Sequence, residues 1–347
     1  MVGNDPGRAG RDASERRPER ATIYDIARIA GVNPSTVSRA LNKPGRVSQR
    51  TEERIRAAAA ELNFTVNPMA RALPTGRTET VGLIVADITN PMFFELVRGV
   101  ERTATENGYT LLLAESAESE ENELRAAERL MRVADGVLLV TSRLDDASIV
   151  RLSSIKPLVL VNREVEGVSG IVPDVDYGIA EAIRHLSHLG HRSILYAAGP
   201  SRSWMSTRRW ESIRQRCEWA HLEVRELDIG VPPTLDGGRH IAREVRASGA
   251  TAVIAYNDLM AIGLMQELSE AGIRVPEEFS IVGFDNIFGS DFTTPPLTTI
   301  MSPLHDAGSL ALRRLLSEVL GREDTDAAGD LRTTLVIRGS TGRAPTA

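Results

Sequence analysis

Seven short aliphatic runs between residues 80 and 284 constrain the fold of this chain more than any other feature. They read TVGLIVA, YTLLLAE, GVLLVT, PLVLV, RSILYAA, TAVIAY and FSIVGF. Runs apolar on both faces of the pleat are what a strand needs when its sheet is covered on both sides. Amphipathic helical stretches such as FFELVRGVERTATENG and GIAEAIRHLSHLGH lie between most of them. Alternation of this kind builds parallel sheets flanked by helices. About 270 residues is too many for one comfortable sheet, so the pattern predicts an α/β body of two doubly wound lobes.

The front of the chain follows a different period. Thr22–Asn42, TIYDIARIAGVNPSTVSRALN, reads as two short helices joined by a tight turn. Thr22 is an N-cap with Asp25 three residues on, close to a capping box. Ile23, Ile26, Ala27 and Ala30 make one apolar stripe. Gly31 supplies the left-handed turn, and Asn33-Pro34 restarts the chain as N-cap and first helical residue. Val37, Ala40 and Leu41 point inward, leaving Ser35, Thr36, Ser38 and Arg39 outward. Ser48 or Thr51 opens a third helix whose stripe is Ile55, Ala58, Ala59 and Leu62. Residues 21–65 are thus an all-α helix-turn-helix unit near the lower size limit for a folded domain. The periodicity alone suits any three-helix bundle. The arginine and hydroxyl groups on the outer face of the second helix favour DNA, since Arg39 can pair bidentately with guanine.

Charge is divided in the same way. The net value of −6 conceals a front, residues 1–74, with 13 basic and 8 acidic side chains, and a remainder with 28 and 39. A cationic front on an acidic body suits a protein whose small domain approaches phosphates. Residues 1–20 have no apolar core of a secretory signal and read as a disordered arm. No apolar run approaches the roughly 20 residues that span a bilayer. Cys217 is the only cysteine, which excludes an internal disulfide and a cysteine metal cluster and suits a reducing cytoplasm. The sequence has no GxxxxGK[ST], HExxH, GxSxG or strand-linked GxGxxG, so it does not read as an enzyme and calls for no cofactor or metal. His185, His188 and His191 cluster as a helix end rather than as a metal site.

In doubly wound folds ligands sit beyond the carboxyl ends of the strands. The turns there carry Asp87, Asn90 and Phe93, then Asn162 and Arg163, then Arg209 in the helix after YAAGP, then Asn257 with Asp258, and Asp285 with Asn286. Amides, carboxylates and guanidinium groups with a few aromatics suit a polyhydroxylated ligand such as a sugar. Each can also cap the next helix; for Asn257, ahead of DLMAIGLMQEL, both readings stand. Asn67-Pro68 is a second cap pair, opening MARAL before Pro74. That segment is too short to be a helix alone, and by itself reads as a linker.

These residues carry a family resemblance. TIYDIARIAGVNPSTVSRALN, VSQRT and AAELNFTVNPMARAL, continuous over Thr22–Leu73, resemble the DNA-binding headpiece of the LacI/GalR family of bacterial transcription regulators. ADITNPMFF, AYNDLMAIG, IVGFDNIFGSDFTTPPLTTI and TLVIRGST resemble its regulatory half, which shares its fold with periplasmic sugar-binding proteins. The resemblance implies a recognition helix reading bases through Pro34, Ser35 and Arg39. It places Thr22, Tyr24, Asn33, Thr36, Ser38, Asn42 and Ser48 mainly on phosphates. It implies a hinge helix and linker over 66–79, with Leu73 wedged into the minor groove and Asn67, Met69 and Ala70 along it. Pro74 departs from the family and shortens that helix; Pro34 donates no hydrogen bond, so direct readout leans on Ser35 and Arg39. Effector contacts carry over to Asp87, Asn90, Met92, Phe93, Arg163, Arg209, Asn257 and Asp285. Met92 stands where an aromatic is common and Ser212 where glycine is, with Trp204 and Trp210 nearby.

The implied body is an effector-binding and dimerisation domain over 80–347. Its N-lobe takes about 80–174 plus 304–331, and its C-lobe about 175–303 plus 332–347. The implied partners are a second copy of the chain, a pseudo-palindromic operator that holds the protein at the nucleoid, and a sugar-like effector releasing a repressor of carbohydrate-utilisation genes. The alternative is a corepressor-type or dual regulator answering to a nucleobase, a nucleoside or a protein partner. A sugar-binding transport receptor shares the body but needs a signal peptide and no helix-turn-helix. An architectural DNA-binding protein needs no such body.

Overall fold

The computed structural model describes residues 21–42, 45–62, 64, 76–322 and 330–345. The chain divides into two compact units, Met1–Thr78 and Glu79–Ala347.

In the first unit α1 (Ile23–Ala30), α2 (Pro34–Asn42) and α3 (Gln49–Glu61) enclose a core of Ile26, Val37 and Ile55 with Ala27, Ala30, Ala40 and Ala58. Asp25 holds the start of α1, its carboxylate accepting from the Thr22 backbone N–H at 2.9 Å and the Thr22 hydroxyl at 2.7 Å. Gly31 ends α1 at φ 64°, ψ 41°, where a side chain would be strained. Ser48 precedes α3 in extended backbone.

The second unit begins with alternating β1 (Thr80–Val85), α4 (Met92–Glu106), β2 (Thr110–Glu115), α5 (Glu120–Val133), β3 (Gly136–Val140), α6 (Asp146–Ser153) and β4 (Leu158–Val161), followed by the short β5 (Gly170–Ile171). These strands form one parallel sheet in the order β2-β1-β3-β4-β5. A second lobe follows: α7 (Val175–His188), β6 (Ser193–Ala197), α8 (Trp204–Trp219), β7 (Glu223–Leu227), α9 (Leu235–His240), α10 (Ala242–Ala247), β8 (Ala252–Ala255), α11 (Asp258–Glu270), β9 (Ser280–Asp285) and β10 (Thr298–Met301). The chain then returns to the first lobe as α12 (Leu304–Leu320), packed on α4, β3 and β4, and crosses back as β11 (Thr334–Val336). The second sheet runs β11-β10-β9-β8-β6-β7, parallel except that β11 is antiparallel to β10.

The seven aliphatic runs all become strands. Four further strands escaped the pattern for physical reasons. β7 (EVREL) is an edge strand whose side chains are mostly solvated, β10 (TTIM) is half threonine, and β5 and β11 are too short to show a period. The antiparallel β11 is a departure from the all-parallel sheets expected.

Each sheet is covered on both faces. In the first lobe Leu83, Leu96, Leu138 and Leu312 fill one side, and Ile84, Leu139, Ile149 and Leu160 the other. In the second, Tyr196, Ile213 and Phe284 face one way and Val253, Leu264 and Ile281 the other. Gly283 is required by a close approach: a Cβ there would meet Asp258 Oδ1 at 2.0 Å. Cys217 is buried, and burial pushes its thiol up to about 12, leaving it unreactive. His191 is fully buried and bonds Thr251, Ser280 and the Gly342 carbonyl, while His185 bonds Thr341. These two histidines fasten the C-terminal segment. No group of His, Cys, Asp and Glu suited to a metal occurs among the described residues, nor any helix long and apolar enough to cross a membrane.

Candidate DNA-contacting helix and effector cleft

The headpiece presents a polar face because its helical period turns every large apolar side chain of α2 inward. Ser35 and Arg39 are exposed, one turn apart on α2, and Asn33 is exposed just ahead of it. Pro34, Thr36 and Ser38 are half-buried. Tyr24 is 69% exposed on α1, and Thr22 and Ser48 are exposed, the Ser48 hydroxyl sharing a hydrogen bond with Thr51 at 2.8 Å. No acidic residue lies in the first turn of α2, so that helix end can meet a phosphate with unopposed N–H dipoles. Asn42 closes α2. Asn67, Met69, Ala70 and Leu73, expected to form the hinge, lie outside the described residues.

In the body the strand ends bring polar groups together between the lobes. Arg143, at the end of β3, is buried; its Nε donates to Glu118 Oε2 at 2.7 Å and its Nη1 to the Thr141 carbonyl at 2.7 Å. Its guanidinium also reaches the Tyr256 hydroxyl of the second lobe, and that hydroxyl bonds Ser203 at 3.0 Å. Glu123 accepts the Arg143 backbone N–H at 2.7 Å, and burial raises its carboxyl above the usual range. Arg163, after β4, donates to the Ser142 carbonyl at 2.9 Å and to Asp146 Oδ1 at 2.7 Å. Arg202 of the second lobe reaches Glu120 of the first at 2.6 Å. Arg143, Asp145 and Arg163 from one lobe and Ser201, Arg202, Ser203, Trp204 and Thr207 from the other line a cavity of about 240 Å³.

Arg209 of α8 is buried. It donates from Nη2 to Asp285 Oδ1 at 3.0 Å and from Nη1 to the Tyr256 carbonyl, with its guanidinium 3.6 Å from the Phe284 ring centroid. Burial raises the Asp285 carboxyl, and the Arg209 charge opposes the rise. A second cavity, of about 520 Å³, lies between the start of α4 and the turn after β9, with Met92, Asp285, Phe288, Ser302 and Arg338 in its wall.

The expected effector residues therefore fall into groups. Arg163 lines the smaller cavity, Met92 and Asp285 line the larger one, and Arg209 holds Asp285. Asp87 sits at the end of β1, its Oδ1 accepting the Thr89 N–H at 2.8 Å and hydroxyl at 2.6 Å. Asn90 caps the start of α4 through the Met92 N–H at 3.0 Å. Phe93 packs in the first lobe's core, in a cluster that Met92 and, from the second lobe, Ile287 also join. Asn257 caps α11, accepting from the Met260 N–H at 2.9 Å, and donates to the Pro233 carbonyl at 2.9 Å. Sequence reasoning missed Arg143, Glu118, Tyr256, Arg202 and Ser203. Of these only Tyr256, the residue before Asn257, carried a positional signal.

A DNA-facing helix-turn-helix carried with a two-lobed cleft defines a ligand-responsive DNA-binding regulator, and the comparisons agree. The family described as bacterial regulatory proteins, lacI family, matches residues 22–67, and the periplasmic binding protein-like domain matches residues 183–341. The HTH-type transcriptional repressor CytR of Escherichia coli (strain K12) is 32% identical over 346 residues, 96% of this chain and 99% of the relative. The ribose operon repressor of the same strain is 34% identical over 307 residues, 86% of this chain and 93% of the relative. The crystal structure of the lac repressor dimer bound to operator and the anti-inducer ONPF superposes with a TM-score of 0.82 at 26% identity, covering 93% of this chain and 100% of that one. The chain belongs to the lacI family of bacterial regulatory proteins: it is a DNA-binding transcriptional regulator, and its relatives are repressors rather than enzymes.

Proposed function

We propose that this protein is a cytoplasmic homodimeric repressor of carbohydrate-utilisation genes, released from its operator by a sugar-like effector held between its lobes. The observation that carries this reading is the cavity lined from both lobes by guanidinium, carboxylate and hydroxyl groups beside the Trp204 indole. Such a wall gives hydroxyls both donors and acceptors and gives a sugar ring an apolar face. A ligand touching both lobes favours one lobe angle, and it shifts DNA binding only if it prefers the form that leaves the operator. The resemblance to the ribose operon repressor supports the sugar class.

On the headpiece, Arg39 and Ser35 read bases while Thr22, Tyr24, Asn33, Thr36, Ser38, Asn42 and Ser48 hold phosphates, and Leu73 with Asn67, Met69 and Ala70 occupies the minor groove. For dimerisation the exposed pair Phe288 and Phe292, edge to face at 5.1 Å and 73% and 68% exposed, offers a second copy its apolar contact. Thermal-shift screening of sugars and nucleosides, followed by operator release with each hit, tests the reading. Release by a sugar upholds it; tighter operator binding with a nucleobase or nucleoside replaces it with the corepressor alternative.

A further inference from the structure

The cleft's arginines are already matched by carboxylates. Arg143 faces Glu118, Arg163 faces Asp146, Arg202 faces Glu120 and Arg209 faces Asp285. Asp145 lines the same cavity and accepts the Ser148 backbone N–H, and Glu123 accepts that of Arg143. Each guanidinium that lines the smaller cavity is therefore paired with a carboxylate, and Asp145 lines it as well, so the site has no surplus positive charge to receive an anion.

Hydrogen-bond geometry leads to the same conclusion. Two-pronged binding of a phosphate or carboxylate uses two parallel N–H groups on one edge of a guanidinium. In Arg163 and Arg209 the Nη2 of the Nε–Nη2 edge is taken by Asp146 and Asp285. The Nε beside it is buried and has no partner. On Arg163, which lines the smaller cavity, one N–H thus stands next to a carboxylate oxygen. A hydroxyl satisfies both at once, accepting from the Nε–H and donating to the carboxylate. A phosphate would have to displace the carboxylate or sit against its like charge.

We infer that the effector is an uncharged polyhydroxylated molecule, and that Asp146, Glu118 and Glu120, by occupying the arginines in advance, make this cleft reject phosphorylated and acidic sugars. The inference rests on the cleft reading above and specifies its ligand class. Its test uses the full chain. Ribose is compared with ribose 5-phosphate, and glucose with gluconate, by thermal shift and operator release; inorganic phosphate is titrated against chloride at equal ionic strength. The uncharged sugar that acts should outcompete its anionic counterpart by about tenfold, since like charges set side by side disfavour the anion even where water partly screens them. Phosphate should give wild type no saturable shift. Asp146→Ala, a change at a side chain 71% exposed and so safe for folding, removes the acceptor from the Arg163 edge and should create a saturable phosphate response. A saturable phosphate shift in wild type, a sugar phosphate or acid acting more tightly than its parent, or an Asp146→Ala variant deaf to phosphate each overturns the inference. If no uncharged sugar acts, the sugar reading fails by itself, and the phosphate comparison still decides the charge question.

Discussion

The headpiece and the body place their functional groups in opposite environments. In the headpiece the core is small, with four of the seven buried apolar side chains in its cluster among the described residues being alanine, and the groups offered to DNA are on the outside. In the body four large clusters hold the lobes, and Arg143, Arg163, Arg209 and Asp285 among the polar groups at the cleft are themselves buried. A surface site can be changed with little effect on stability but depends on a core with little to spare. A buried site is part of the stability of its domain, so removing one member of a pair leaves its partner charged in a dry environment.

The largest effect should therefore come from the cleft. Asp285→Ala leaves the Arg209 guanidinium buried without its carboxylate, and Arg209→Ala does the converse; breaking such a pair costs about 3–5 kcal/mol. Each single change should lower the unfolding temperature of the body and abolish the effector response, while operator binding without effector persists wherever the body stays folded. The double variant should recover part of the lost stability, and a sum of the two single losses would show that the pair does not act as a unit. Next comes Ile55→Ala in the headpiece, at about 2–5 kcal/mol, close to all the stability a domain this small possesses. Calorimetry should show the headpiece transition collapse and operator binding disappear with the body transition unmoved. A joint fall of both transitions would contradict the division at Thr78. Arg39→Ala should leave both transitions in place and cost about 1–3 kcal/mol of discrimination between operator and scrambled DNA. Equal losses on the two DNAs, measured by fluorescence anisotropy, would reduce Arg39 to a phosphate contact.

The same contrast explains what the sequence disclosed. Helical period places Ser35 and Arg39 outward and Val37 and Ala40 inward without knowledge of any other element, because a surface helix is organised by its own 3.6-residue repeat. The central strands were equally plain, being apolar on both faces. The edge strand β7 was not, because a solvated strand has no apolar run. In the cleft, residues at the strand ends were found by position, but position does not say which way a side chain turns. Phe93 goes to the core and Asn257 is spent on a cap and a loop carbonyl. Arg143 reads as an ordinary loop arginine until the topology sets it between Glu118, 25 residues earlier, and Tyr256 in the other lobe. Pairings across such separations leave no local period, so they become visible only with the fold.

The smallest effect isolates one buried group of the body from everything in the headpiece. Asp258 is fully buried, bonded at 2.8 Å by the Ile287 N–H, at 2.7 Å by the Ser290 hydroxyl and at 2.5 Å by the Thr299 hydroxyl. Burial pushes its carboxyl up to about 7 from 3.8, the hydroxyl bonds from Thr299 and Ser290 opposing the rise. The folded state thus holds this proton more tightly than the unfolded state, so its contribution is full below the unfolded value and is lost as pH rises through about 7. Asp285 titrates in the same direction, whereas His185 and His191, lowered by burial, work the opposite way at more acid pH. Comparison with Asp258→Asn cancels those shared contributions. Between pH 6 and 8 wild type should lose about 1 kcal/mol more body stability than the variant, read from denaturant midpoints of the body transition, while the headpiece transition shows no difference between the two proteins. Parallel pH profiles would mean that Asp258 stays ionised, sustained by its three donors against burial.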